Sequence, residues 1–182
     1  MIPLESVETP QGTVTLARAE PDDLAAVLDV FDASLAGMVA QGNTLQWGTT
    51  PFTQLPRMVE RFRQHLANDV CYVALKEGDV VGALVVNCTH PNYCWPNPTQ
   101  NAAYVHPFAT KPAVRGQGVG ALLLHRAEQY AVEQGKVYLR LDCYAEQPKL
   151  CAHYERCGFA PRGEFFVGDW RGMMYEKAVA GD

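Results

Sequence analysis

A chain of 182 residues with 48% hydrophobic and 19% charged side chains is long enough to bury one real core, which excludes a disordered or fibrous polymer and points to a single globular domain over 1–182. The net charge of −5 argues against a general nucleic-acid binder and suits a cationic amine as a partner. No run approaches the roughly eighteen apolar residues that a membrane span needs, and the opening MIPLESVETPQG has no basic region followed by an apolar stretch, so a cytoplasmic location is the default expectation.

Residues 1–12 are expected to be loosely ordered. Thr13 to Ala17 alternates as a short strand, and Leu24, Val27, Leu28, Phe31 and Leu35 then recur at helical spacing, with Pro21, Asp22 and Asp23 suited to the first turn. A loop over Gly42 to Pro51 leads to a second amphipathic helix with Leu55, Met58, Val59, Phe62 and Leu66 on one face. Val70 to Leu75 and Val80 to Val86 are β-rich runs joined by Lys76-Glu77-Gly78-Asp79, a hairpin signal. Residues 88–101 read as a long loop. Ala102 to Thr110 reads as a strand despite Pro107, and a helix marked by Leu123, Ala127, Tyr130 and Ala131 ends near Gly135. Val137 to Cys143 is a further strand, Pro148 to Cys157 a short helix closed by Gly158, and two strands follow around Phe165 and Met174.

Cys71, Cys88, Cys94, Cys143, Cys151 and Cys157 include no C-x-x-C pair, so a disulfide framework is not expected. Cys88, His90 and Cys94 could be read as metal ligands in one loop, but the spacing is loose and a fourth ligand is not evident, so no metal is expected.

The chemistry concentrates in Arg115-Gly116-Gln117-Gly118-Val119-Gly120. This segment lies between a strand and a helix, where backbone N–H groups and the helix dipole can hold a phosphate, and a Cβ would keep the phosphate from the amides. A tight turn would use the same glycines. A dinucleotide-binding fingerprint is imitated by Asp142 about 20 residues on. However, the spacing is G-x-G-x-G, and the 40 residues after Asp142 are too few to complete a doubly wound sheet.

The loop resembles the cofactor motif of the GNAT superfamily of N-acetyltransferases, Arg/Gln-x-x-Gly-x-Gly/Ala, matched by Arg115, Gly118 and Gly120. Leu141-Asp142-Cys143 and the Tyr154-Glu155-Arg156-Cys157-Gly158-Phe159 helix end extend the resemblance. The fold it implies is α/β (α+β): a mixed central sheet of about seven strands, splayed in the middle and flanked by about four helices. It also implies acetyl-CoA as co-substrate and direct transfer of the acetyl group to a primary amine through a tetrahedral intermediate. By the same resemblance, the pantetheine arm pairs with the backbone of Tyr104 to Thr110, and the N–H of Phe108 faces the thioester oxygen, where it would stabilise the oxyanion. Phe108, Ala109, Thr110, Arg115, Gly116, Gln117, Gly118, Val119, Gly120, Gln147 and Tyr154 are the implied cofactor-binding residues. Tyr154 matches the family tyrosine that protonates the departing thiolate, although Leu150, Tyr154 and Gly158 share a helical face and a core aromatic would look the same.

Many relatives place a glutamate base on the strand before the loop, where this chain has His106, an arrangement similar to arylalkylamine N-acetyltransferases. A neutral imidazole can take the amine proton directly or through water. A hydrogen-bonded structural histidine beside Pro107 is the other reading. Gln46, Trp47, Phe52, Tyr93, Trp95 and Tyr104 supply an aromatic wall for a small-molecule amine, or else ordinary packing under loops. A protein N-terminal or lysine acetyltransferase, a non-catalytic acyl-CoA sensor, and a homodimer remain open.

Overall fold

In the computed structural model, residues 1–89, 94–95 and 101–179 are described. The strands are β1 (Ile2–Thr9), β2 (Gly12–Arg18), β3 (Val70–Lys76), β4 (Asp79–Asn87), β5 (Ala102–Thr110), β6 (Tyr138–Tyr144), β7 (Ala160–Val167) and β8 (Trp170–Ala178). The helices are α1 (Leu24–Val39), α2 (Pro56–Asn68), α3 (Val119–Glu133) and α4 (Pro148–Arg156). The eight strands form one mixed sheet in the order β1-β2-β3-β4-β5-β6-β8-β7.

The added strand corrects the expected seven. β1 occupies residues expected to be loosely ordered and pairs antiparallel with β2 from Ile2↔Arg18 to Thr9↔Gly12. Its turn is closed locally: Thr9 Oγ1 donates to the Gly12 carbonyl at 2.6 Å and accepts from the Gln11 N–H at 3.2 Å. Most of β1 is exposed, so it carries no apolar stripe of the kind that announces a strand. Pro3 is accommodated by a register shift between Pro3 and Glu5.

Two compact units divide the chain, Met1–Val85 with Pro107–Leu123, and Val86–His106 with Leu124–Asp182. In the first unit, β3 and β4 are joined through Glu77 (φ 54°) and Gly78 (φ 87°), the positive-φ pair of a hairpin turn whose twist matches the strands. Val27, Phe31 and Leu35 of α1, Phe62 and Leu66 of α2, and Val73 and Ala83 of the sheet share one buried core. Asp32 of α1 fastens the α1–α2 connection, accepting from the Phe52 N–H and the Thr53 hydroxyl, each at 2.5 Å. Phe52 is thereby pressed against Phe31 and Phe62.

In the second unit β6 runs parallel to β5 and antiparallel to β8, which forms a hairpin with β7. The β5–β6 ladder covers three pairs, Ala102↔Tyr138 to Tyr104↔Arg140. Side chains alternate across these strands, so Tyr104, Arg140, Asp142 and Met174 share one face while Leu141 and Tyr175 occupy the other. Among the described residues no helix is long and apolar enough to cross a membrane.

Candidate active site

The glycine loop is built by the first unit. β5 ends at Thr110, the Lys111 N–H donates to the Val81 carbonyl at 2.8 Å, and a single 3-10 turn over Pro112–Val114 redirects the chain. Gly116 (φ 78°) and Gly118 (φ 80°) are left-handed, and a Cβ added at either would meet nothing within 4 Å. These glycines are therefore required by backbone conformation, and the space above them is open. The Leu122 N–H bonds the Gly118 carbonyl at 3.1 Å, so the amides of Val119, Gly120 and Ala121 lie in the first turn of α3, the position that attracts anions. Val119 is buried and Arg115 exposed.

Gln117 braces this loop. Its amide donates to the Ala113 carbonyl at 3.0 Å, and its oxygen accepts from Lys76 Nζ at 2.6 Å. Two further glycines set the loop's position by letting backbone approach closely. A Cβ on Gly37 of α1 would stand 2.6 Å from Pro112 Cγ, and one on Gly82 of β4 would stand 2.8 Å from Leu123 Cδ1 and 3.3 Å from Val119 Cγ1. Lys111 also forms an ion pair with Asp29 of α1. Ala109 is buried in the core of the unit, and Phe108 and Thr110 are half-buried.

His106 and Tyr154 belong to the second unit. His106 is half-buried at the end of its part of β5, and its Nδ1 lies 3.9 Å from Oδ1 of the buried Asp142. The Cys94 thiol donates to the same oxygen at 3.8 Å. Burial, reinforced by the Asp142 charge, pushes the Cys94 thiol up to about 12, which keeps it protonated. Beside this pair, Arg140 stands 4.2 Å over the Trp95 ring, donates to the Tyr104 hydroxyl at 3.2 Å, and bonds Glu176 through Nε (2.8 Å) and Nη2 (2.7 Å). Arg162 bonds the other Glu176 oxygen at 3.0 Å.

Tyr154 occupies the opposite face of the same sheet, buried against Phe159 and Tyr175. Burial holds its phenol well above the usual tyrosine range, with the neighbouring Cys143 thiol and Asp142 adding to the effect. Cys143 and Cys151 place their sulfurs 4.0 Å apart nearby, and burial likewise raises Cys143. Gln147 is the N-cap residue of α4, its carbonyl accepting from Leu150 and Cys151.

The residues expected to form one aromatic wall fall into two groups. Trp47 and Phe52 pack with Phe31 in the first unit, and Gln46 accepts from Asn43 at 2.9 Å. Trp95 and Tyr104 pack edge to face in the second unit. Tyr93 and His90 lie outside the described residues. Among the described residues no cluster of three or more His, Cys, Asp or Glu could hold a metal ion. Sequence reasoning missed Gly37, Gly82, Arg140 and the Asp142–His106 pair; the last depends on how β5 and β6 are placed side by side, for which the sequence carries no signal.

Residues 39–159 match the family model described as Acetyltransferase (GNAT) family. The chain belongs to that family. Membership makes it an acetyl-CoA-dependent N-acetyltransferase, with acetyl-CoA as co-substrate. This GNAT chain is 28% identical over 169 residues to the Bacillus subtilis (strain 168) protein named "Putative phosphinothricin acetyltransferase YwnH", covering 92% of this chain and 98% of that one. Its fold is similar to the GNAT domain of S. lividans PAT (TM-score 0.72, 17% identity, 96% of each chain). It also resembles yncA of Salmonella typhimurium, solved with its cofactor acetyl-CoA (TM-score 0.67, 16% identity, 93% and 95% covered). At these identities the two structural matches concern fold alone, and both agree with the mixed sheet of this GNAT chain.

Proposed function

We propose that this GNAT chain acts as one catalytic domain that moves the acetyl group of acetyl-CoA onto the primary amine of a small molecule by direct attack. The observation that carries the reading is the loop at the start of α3: two left-handed glycines with open space above them, ahead of the helix's first amides. Such a loop grips a pyrophosphate through main-chain N–H groups, with Arg115 as an exposed cation beside it. In this reading the Phe108 N–H polarises the thioester carbonyl, and Tyr154 gives its proton to the departing thiolate. The raised acidity range of Tyr154 suits that role, because the phenol stays protonated at neutral pH. His106 removes the amine proton, directly or through water.

Similarity to YwnH over nearly the whole of both chains supports an amino-acid-like amine as acceptor. The test is acetyl-CoA consumption with a panel of small amines that includes phosphinothricin, alongside peptides with free N-termini or lysines, with acetylated products identified by mass spectrometry. A small-molecule product is expected. Acetylated peptide with no small-molecule product would move the assignment to a protein acetyltransferase, and cofactor binding without any product would make the chain a sensor. His106→Ala should lose activity mainly near neutral pH and regain part of it at alkaline pH, where the free amine needs no base. Superimposable profile shapes would remove His106 as the base.

A further inference from the structure

We propose that Asp142 is a positioning residue for His106, holding the imidazole with Nδ1 turned toward β6 so that Nε2 is the atom that takes the amine proton. The inference rests on the reading of His106 as the base and assigns a partner to it.

Backbone register brings the two together. Tyr104 of β5 pairs with Arg140 of β6, the last pair of that ladder; His106 and Asp142 each lie two residues further on, on the same alternating face of their strands, and their side chains meet there. The carboxylate is 5% exposed and the imidazole 30% exposed, with Nδ1 3.9 Å from Oδ1. A buried carboxylate is costly unless charge or hydrogen bonds compensate it, and the groups facing it include the Cys94 thiol at 3.8 Å and His106. The carboxylate thus stands on the Nδ1 side of a ring that keeps part of its surface open.

The chemistry follows from that asymmetry. A carboxylate beside Nδ1 favours the neutral tautomer that carries its proton there, leaving the lone pair on Nε2. When the amine attacks, its N–H bond breaks and an Nε2–H bond forms. The imidazolium charge then faces Asp142, which stays ionised throughout and stabilises that charge. Other charged and titratable groups on this face come from each packed element. Tyr104 lies on β5, and Arg140 and Tyr144 lie on β6, the first committed to Tyr104 and Glu176 and the second to Glu146. Cys94 approaches from the loop. On β8 the residue opposite Asp142 is the neutral Met174, with Glu176 beyond it held by Arg140 and Arg162. From the other face, Tyr154 and Cys143 respond to the Asp142 charge.

The experiment compares pH–rate profiles at limiting amine for wild type, Asp142→Asn, Asp142→Glu and His106→Ala, with imidazole nitrogens followed by NMR and His106 assigned by its loss in His106→Ala. Asp142→Asn should lower kcat by roughly ten- to a hundredfold with the KM for acetyl-CoA unchanged. It should also move the acidic limb about one pH unit lower, because the imidazolium loses its counter-charge. Asp142→Glu should return the limb toward its wild-type position. A limb and a His106 titration that both stay in place in Asp142→Asn would overturn the proposal while leaving the base reading intact. A wild-type profile shape in His106→Ala would remove the base reading, and the proposal with it. Should Asp142→Asn fail to fold, the wild-type protein decides: neutral His106 protonated on Nδ1 supports the proposal, and protonation on Nε2 overturns it.

Discussion

Exchanging Gly118 for asparagine and for aspartate separates backbone strain from electrostatics at the glycine loop. The two side chains have nearly the same shape, and both tolerate the left-handed region better than other residues do. Gly118 sits at φ 80° with nothing within 4 Å of an added Cβ, so neither variant meets a clash. Asn should therefore cost about 1 kcal/mol of local strain and reduce acetyl-CoA affinity by no more than about tenfold. Asp adds a negative charge near a pyrophosphate. Two charge pairs at about 5 Å cost roughly 2 kcal/mol in water and several times more in a protein-like dielectric. Because Gly118 is exposed, the lower end applies, about 2–3 kcal/mol, or roughly a further 30- to 150-fold loss. Calorimetric titration with acetyl-CoA at two ionic strengths reads both numbers, and the Asn–Asp gap should narrow as salt rises. Equal affinities for the two variants would refute a pyrophosphate at this loop, whatever their stabilities.

Gly37→Ala should cost about 1–3 kcal/mol in urea unfolding and weaken acetyl-CoA binding as well, since Pro112 Cγ stands 2.6 Å from the new Cβ and its ring cannot swing aside; full retention of both would show that α1 does not fix the loop. Tyr154→Phe should lower turnover by roughly ten- to a thousandfold between pH 6 and 9 with unchanged cofactor affinity. Because the folded phenol titrates well above the unfolded value of 10.0, no Tyr154 ionisation should appear in the wild-type profile below that pH; unchanged turnover in the variant would return this tyrosine to a packing role. Glu176→Gln should destabilise the protein by about 3–5 kcal/mol in thermal melts, because it removes the carboxylate charge that faces the buried Arg140 guanidinium; the half-exposed Arg162 contact contributes little to that figure. A loss under about 1 kcal/mol would mean that solvent reaches Arg140.

Helices with a buried stripe were legible because periodicity records burial: Val27, Phe31 and Leu35 of α1 and Phe62 and Leu66 of α2 are core residues where spacing predicts them. β1 was not legible, because an edge strand with mostly exposed side chains is held by main-chain pairing that any sequence can supply. The glycine loop was readable because its chemistry is a property of consecutive residues. Gly37 and Gly82 were not, since what each makes room for, Pro112 and Leu123, lies far along the chain. Asp142 was legible as an imitation of a dinucleotide signal and as part of the Leu141-Asp142-Cys143 resemblance; that His106 is its neighbour is set by strand placement, which composition does not encode. Trp47 and Phe52 looked like substrate contacts, and their packing against Phe31 is equally what an ordinary core uses aromatic rings for.

Gln117, the loop's polar side chain, is already engaged by Lys76 and the Ala113 carbonyl, so on the proposed assignment the nucleotide end of the cofactor is held mainly by main chain and by Arg115. A grip of that kind is blind to the far end of the molecule. It holds spent CoA as firmly as acetyl-CoA, so its binding energy is uniform along the reaction and does not speed the chemical step. The expected kinetic signature is competitive inhibition by CoA against acetyl-CoA, with an inhibition constant close to the dissociation constant of the substrate.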